Sequence, residues 1–374
     1  MKIDYRRIAD ATAVTTRVIV QNRDEIRDRL DRLRATLPAG SVTGPAICTF
    51  NFITSASDGY DVTLAIPVRE GTNISDLRPG AAPSSTDSRA DAAGMRLELL
   101  PALEVLSLVH EDGSESLGKA ISAVFAYANQ YAIISDEFYR EVYHDAAGGD
   151  PGLPPGPPTI EVQLVIHNWN GKLASGLERV LGTEARDQIM AGAETLQIES
   201  GLDARFEWVK SMLARLDERA SEHEKWDAIS GCAHVFPQGQ LDKLADVFRA
   251  TRRETGDALR AVDAVIDFMN DDSGWVDGGR RDGYTVITAK SPRDPKAYAA
   301  ATTDLERRQA YCFCPLLRTK MDQGMPIDFC YCGSGWFRQQ WETATGRPVT
   351  IDILQSVARG DEKCEFAVHL DPGI

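Results

Sequence analysis

No stretch of the 374 residues approaches the roughly 18 consecutive apolar side chains of a membrane-spanning helix, and the opening Met-Lys-Ile-Asp-Tyr-Arg-Arg lacks the apolar core of an export signal. These absences lead us to expect a soluble, cytoplasmic chain with no membrane partner. Basic residues are short as well, with 41 Lys and Arg against 56 Asp and Glu and a formal net charge of −15. Such a field repels phosphate backbones, so no direct nucleic-acid contact is expected. There is no nucleophile elbow, no Gly-rich phosphate loop, no His-Glu-x-x-His and no helix-turn-helix segment, which removes the common sequence signatures of hydrolases, nucleotide binders, zinc proteases and DNA readers. None of the six tryptophans falls in residues 1–168.

What is present describes a globular chain. Hydrophobic residues make up 43% and charged residues 26%, and at about 100 to 200 residues per domain the length suggests two domains. Residues 13–22 are β-branched and alternate through Val14, Thr16, Val18 and Val20, after which Ile26, Leu30, Leu33 and Leu37 recur at helical spacing. The arginines of residues 23–34 are interleaved with Asp24, Glu25, Asp28 and Asp31, which reads as a solvated helix face. Pro38-Ala-Gly40 stops the helix, and strand-like runs follow at 46–53 and 60–68 around a polar turn at 55–59. Residues 71–94, rich in Gly, Pro, Ser and Asp, read as a flexible connection. The pattern then repeats as a strand at 96–110, a helix at 116–131 and strands at 137–143 and 159–167 across a Pro-Gly loop at 144–158.

One β-α-β-β unit leaves a sheet face uncovered, whereas two can pair edges and share a core, so the repeat predicts a pseudo-twofold domain over residues 1–168. The order of elements, Glu111-Asp-Gly-Ser-Glu-Ser-Leu-Gly118 ahead of the second helix, and the half-endings Tyr60-Asp-Val-Thr-Leu-Ala-Ile-Pro-Val68 and Ile160-Glu-Val-Gln-Leu-Val-Ile166 resemble the GyrI-like effector-binding domain of bacterial drug-responsive activators. The resemblance implies a groove at the junction of the halves, lined by aromatics, where a buried acid meets lipophilic cations. It also implies an alternative, because some standalone members are similar in fold and hydrolyse electrophilic natural products. Those members look to need a tryptophan in the first half, which this chain lacks.

Alternation puts Glu161, Gln163 and Val165 on one side of the last strand and Ile160, Val162, Leu164 and Ile166 on the other. Glu161 matches the position of the family's acid. A buried carboxylate costs several kcal/mol unless paired, and a cationic ligand or its own protonation would resolve that cost; the competing reading is an edge position facing water. Phe52, Tyr60, Tyr127, Tyr143 and Trp169 are the candidate walls, with Phe50 and Tyr139 nearby, since rings offer cations their negative faces. The same rings also suit an ordinary core. His110 could act as a base beside Glu111, or be a solvated turn residue.

From residue 169 the character changes to amphipathic helices, and from about residue 284 to mixed elements, giving a second domain over 169–374 and an α+β fold class overall. Its ending, Gly346-Arg-Pro-Val-Thr-Ile-Asp-Ile-Leu-Gln-Ser-Val-Ala-Arg-Gly-Asp-Glu-Lys-Cys-Glu-Phe-Ala-Val368, resembles the closing hairpin of vinyl-4-reductase-type ligand-binding domains. Cys312 and Cys314, and Cys330 and Cys332, fall on strand-like runs at 310–317 and 327–332, where a spacing of two puts both thiols of a pair on one face. Three readings stand for these thiols: small apolar core residues, zinc ligands, or reactive and ligand-contacting groups. Taken together, the sequence predicts a binding protein for a lipophilic, cationic small molecule that lacks its own DNA reader, acting with a second copy of itself or a separate regulator and needing no cofactor, unless the four cysteines hold zinc.

Overall fold

The computed structural model describes residues 2–52, 59–72, 94–111, 114–131, 133–144, 159–196, 200–236, 238–271 and 278–374. It divides into two compact units, one of Met1–Gln130 with Ser135–His167, the other of Tyr131–Ile134 with Asn168–Ile374. The expected turn at 55–59, connection at 71–94 and loop at 144–158 lie largely outside the described residues. Among those residues no helix is long and apolar enough to cross a membrane.

The first unit runs β1 (Asp4–Ile8), β2 (Ala11–Val20), α1 (Arg23–Thr36), β3 (Ala46–Phe52), β4 (Tyr60–Pro67), then β5 (Arg96–Leu100), β6 (Leu103–Glu111), α2 (Ser114–Gln130), β7 (Ser135–His144) and β8 (Thr159–Ile166). All eight strands form one antiparallel sheet in the order β1-β6-β8-β7-β3-β4-β2-β5. Exchanging each strand for its counterpart in the other half reads the same order backwards. The repeat seen in the sequence is therefore a pseudo-twofold, and the β3–β7 pairing of Ala46 with Tyr143 through Thr49 with Arg140 joins its halves.

Two details differ from the periodicity. β1 was not anticipated, and the single strand expected at 96–110 is two strands separated at Pro101, whose ring nitrogen has no hydrogen to give a ladder. The break lets β5 pair with β2 while β6 pairs with β1 and β8. Register places Cys48, Phe50, Tyr139, Glu141, Tyr143, Val162 and Leu164 on the face that meets the helices, as shown by Arg23 of α1 on Tyr139 and Phe125 of α2 against the Tyr139 ring. Arg140, Val142, Glu161 and Gln163 point to the opposite face, where Ala13, Ile47, Ala65 and Val142 form a small apolar cluster.

Among the described residues the second unit begins with the α-helices α3 (Trp169–Leu181), α4 (Thr183–Met190), α5 (Leu202–Asp217), α6 (Glu222–Ser230), α7 (Gln238–Thr255) and α8 (Ala258–Asp271). After β9 (Arg280–Asp282) and β10 (Thr285–Ala289) come α9 (Pro295–Ala300), α10 (Asp304–Tyr311), α11 (Pro315–Arg318), α12 (Tyr331–Thr345), β11 (Val349–Gln355) and β12 (Glu365–Leu370). The four strands make a sheet in the order β11-β12-β10-β9. The α+β class is as expected, but the strands expected at 310–317 and 327–332 are not there. Thr303 caps α10 through a reciprocal pair with Glu306, Pro315 opens α11, and a 3-10 turn Ile327–Cys330 leads directly into α12. Short apolar runs fit either period, and here the capping residues decide for helix.

Gly335 of α12 lies so close to the end of α6 that a Cβ there would sit 1.9 Å from the Ser230 carbonyl oxygen and 2.7 Å from the Ala233 Cβ. Neither neighbour is the far end of a flexible side chain. Gly335→Ala should therefore destabilise the second unit by about 3 kcal/mol or more, read as a shift of the denaturant midpoint, even though alanine favours helix. An unchanged midpoint would mean that the two helices part at little cost.

Candidate functional site

The side chain of Asn22 accepts from the Glu25 N–H and so fixes the start of α1, which makes Arg23 its first residue. A cation at that end opposes the helix dipole, and the compensation comes from β7. Arg23 Nε donates to Glu141 Oε1 at 3.0 Å and Nη2 donates to the Tyr139 hydroxyl at 2.7 Å. Its guanidinium carbon also lies 5.6 Å from the Phe50 ring centroid and 5.8 Å from that of Tyr60. Phe50 stacks on Tyr139 at 4.6 Å and meets Tyr60 edge-on at 5.8 Å.

Glu141 is fully buried, at 0% exposure, and accepts from the Tyr143 hydroxyl at 2.6 Å through its other oxygen. Burial works against the charge on Arg23, but Glu141 and Tyr139 outweigh it and hold the guanidinium more firmly protonated than usual. Burial, and then the Glu141 charge, push the hydroxyls of Tyr139 and Tyr143 well above the ordinary tyrosine range, so both remain donors. The result is a cation held over a buried acid in a cage of three rings. A second cation, Arg27, lies 5.7 Å from the Tyr143 centroid.

Glu161 occupies the other face. It is 1% exposed and is met by Ser107 Oγ at 2.5 Å, Gln163 Nε2 at 2.8 Å, Arg6 Nη1 at 2.8 Å and His144 Nε2 at 3.2 Å. Gln163 in turn accepts two bonds from the buried Arg140. Desolvation would raise the Glu161 pKa, but the bonds from His144, Ser107 and Gln163 and the charge of Arg6 prevail and bring it down to about 2.

The expected site is therefore redistributed. Tyr60 and Tyr143 stand at the cage with Phe50 and Tyr139, whereas Glu161, expected as the acid among the rings, is on the opposite face and is supplied with donors by its own chain. The acid among the rings is Glu141, which alternation could have found, since Tyr139-Arg-Glu141-Val-Tyr143 puts all three functional groups on one side of a strand. Arg23, read as part of a solvated face, is the caged cation. Phe52 contributes its backbone to the ladder opposite Asp61, and its side chain lies outside what is described. Tyr127 is half-buried on α2, and His110 pairs with Ile160 at the end of β6. Trp169, expected as a groove wall, opens α3 in the second unit, where its buried ring lies 5.6 Å from Phe329.

The four expected cysteines share one core cluster with Cys364, but not as paired strand positions. Cys330 and Cys332 straddle the start of α12, where residues two apart point about 200° from each other. Burial pushes all of these thiols up, Cys314 to about 12. Among the described residues, no three of their sulfurs come within 4.8 Å of one another. The converging-strand geometry on which a zinc site was reasoned is thus absent. One cluster of three carboxylates, Asp217, Glu222 and Asp328, does converge, and Lys225 Nζ fills it at 2.8, 2.5 and 2.9 Å.

The network at Glu161 has a pH signature. A carboxyl held near 2 contributes stability that is present above its ordinary value of 4.5 and is lost as pH falls toward 2. The stability gap between the wild type and Glu161→Gln should therefore narrow by about 2 to 3 kcal/mol between about pH 6 and about pH 2.5 in urea titrations. A gap independent of pH would show that the donors do not favour the charged form.

No family model matches the chain, and no curated protein matches it. Solved structures similar to part of it include the C-terminal domain of EcmrR, at 13% identity over 44% of this chain and 96% of that one with a TM-score of 0.33. Another is a hydrolase from Listeria innocua, at 11% identity over 44% of this chain and 91% of that one with a TM-score of 0.29. A third is SAV2435 bound to tetraphenylphosphonium, at 14% identity over 46% of this chain and 97% of that one with a TM-score of 0.28.

Proposed function

We propose that the first unit binds a lipophilic organic cation, as an effector-binding-type domain without its own DNA reader, and that the binding place is the cage of Phe50, Tyr60 and Tyr139 over Glu141. The observation that carries this reading is that the cage holds a cation supplied by the chain itself. Arg23 is one-third exposed while Glu141 is fully buried, so the guanidinium can swing toward water while the acid cannot. A ligand cation with an apolar body would displace the guanidinium from the acid and take its place against the rings. The net charge of −15 favours the approach of such a ligand at low salt. Binding without turnover is the expected behaviour.

The test is calorimetric titration of the whole chain with tetraphenylphosphonium, a permanent cation with no hydrogen-bond donor. Glu141→Gln should weaken binding by about tenfold or more, because the acid is the counter-charge. Arg23→Ala should tighten it by about tenfold while lowering Tm, since Glu141 is left without its partner, and added ligand should raise the Tm of this variant more than that of the wild type. Equal affinity across wild type, Glu141→Gln and Arg23→Ala would sink the proposal.

A further inference from the structure

The sheet of the second unit ends at β11, whose Val349-Thr-Ile-Asp-Ile353 alternates apolar and polar residues. Val349 and Ile351 are buried against the helices, while Thr350 and Asp352 are exposed on the other face. Backbone bonds show which way the peptide groups of this strand point. The Leu370 N–H donates to the Tyr284 carbonyl at 2.8 Å, and the Cys364 carbonyl accepts from the Lys290 N–H at 3.1 Å. Alternate residues from Cys364 through Phe366 and Val368 to Leu370 therefore turn their peptide groups toward β10, and Ala367 and His369 turn theirs toward Asp352 and Thr350 of β11. It follows that the N–H and C=O groups of Ile351 and Ile353 point outward, to an edge that no further strand meets among the described residues.

A cavity of about 600 Å³ lies along that edge. It touches Thr350, Ile351, Asp352 and Ile353 in a row. Successive residues of a strand face opposite sides of the sheet, so a space that meets all of them runs beside the strand and not over one face. Trp226 of α6, Ile327 and Tyr331 supply apolar surface to it. The two ends of the edge are closed: the Val349 N–H donates to Glu342 Oε1 at 3.4 Å, and Arg359 Nη2 donates to the Leu354 carbonyl at 2.7 Å. What stays open is a short stretch of backbone centred on Asp352.

The charges beside the edge are not equally answered. Glu222 accepts from the Tyr331 hydroxyl at 3.1 Å and pairs with Lys225, and Arg359 is matched by Asp361 at 3.0 Å. Asp352 meets His369 at 2.9 Å, yet its side chain is 73% exposed. A second copy pairing through both isoleucines would set Asp352 against its own counterpart, and like charges directly opposite are unfavourable. A basic residue at that position is favoured by the same rule.

We propose that the outer edge of β11 takes a fifth, antiparallel strand from a partner, an extended segment that alternates apolar and basic residues. Residues opposite Ile351 and Ile353 share the helix-side face and enter the apolar part of the cavity, so they are apolar. The residue between them stands opposite Asp352 on the other face, so it is Lys or Arg. Backbone bonds to Ile351 and Ile353 hold the segment, and the alternation sets its register.

The probe is a capped, fluorescein-labelled peptide of about seven residues alternating lysine and valine, titrated against the full chain by anisotropy. Saturable binding at one equivalent is expected. N-methylation of the valines, whose N–H groups would face β11, should weaken it by about tenfold or more, while N-methylation of the lysines, whose N–H groups would face water, should leave it unchanged. This pair of peptides separates strand addition from the general attraction of a basic peptide to a chain of net charge −15. The Asp352→Lys chain should bind the lysine peptide about fivefold more weakly and take the matching peptide of glutamate and valine in its place. Absence of saturable binding, equal affinity of the two methylated peptides, or no response to Asp352→Lys would each overturn the proposal. Cross-linking of two copies through β11 without peptide would give the edge to a second chain and overturn it as well.

Discussion

The first unit is organised by the need of one fully buried carboxylate for a positive partner. Glu141 is on a strand of the second half, and Arg23 opens the helix of the first, so their ion pair ties one repeat to the other across the β3–β7 junction. Removing one partner of such a pair generally costs about 3 to 5 kcal/mol, because a charge stays behind in a place that water cannot reach. The cap at Asn22 and the tyrosine hydroxyls serve the same requirement, since they fix where the guanidinium starts and which lone pairs of the acid remain for it. The aromatic rings add the apolar boundary that makes the pair strong.

The two faces of the sheet handle an acid differently. On the face away from the helices, Glu161 is surrounded by donors from β1, β6, β7 and β8, four elements that the strand order brings side by side. Such a carboxylate is a structural hub whose charge is already answered. On the helix face, Glu141 depends on one partly exposed arginine for its positive charge. On the proposed reading, an exchangeable cation belongs where the counter-charge is single and able to leave.

Much of this architecture was legible in the sequence, because a period of two and a period of 3.6 alternate in long blocks, and the repeated β-α-β-β order follows from them. β1 was not legible, since Asp-Tyr-Arg-Arg-Ile is charged and largely exposed at the sheet edge and carries no apolar alternation. The choice of Glu161 over Glu141 had a physical origin too. Glu161 interrupts an apolar strand and draws notice, whereas Glu141 lies among Arg140, Tyr139 and Tyr143, where a charge looks ordinary; which face the helices cover is a tertiary fact. In the second unit, Cys-Phe-Cys alternates like a strand over three residues only, too short a window to overrule Thr303, Pro315 and the capping that follows from them.

Arg23 and Lys290 show why residue type matters as much as burial. A guanidinium does not give up its proton in a protein, so burying Arg23 demands an acid, and the sheet provides one. An ammonium can give up its proton, and Lys290, buried against the Trp336 ring with no carboxylate partner among the described residues, is pulled below the ordinary lysine range. The first arrangement keeps a charge beside its counter-charge, and the second shifts the balance toward the uncharged form. Replacing Arg23 with lysine would blur that distinction, because a lysine at the cage could neither span Tyr139 and Glu141 with a planar fork nor cover the faces of Phe50 and Tyr60.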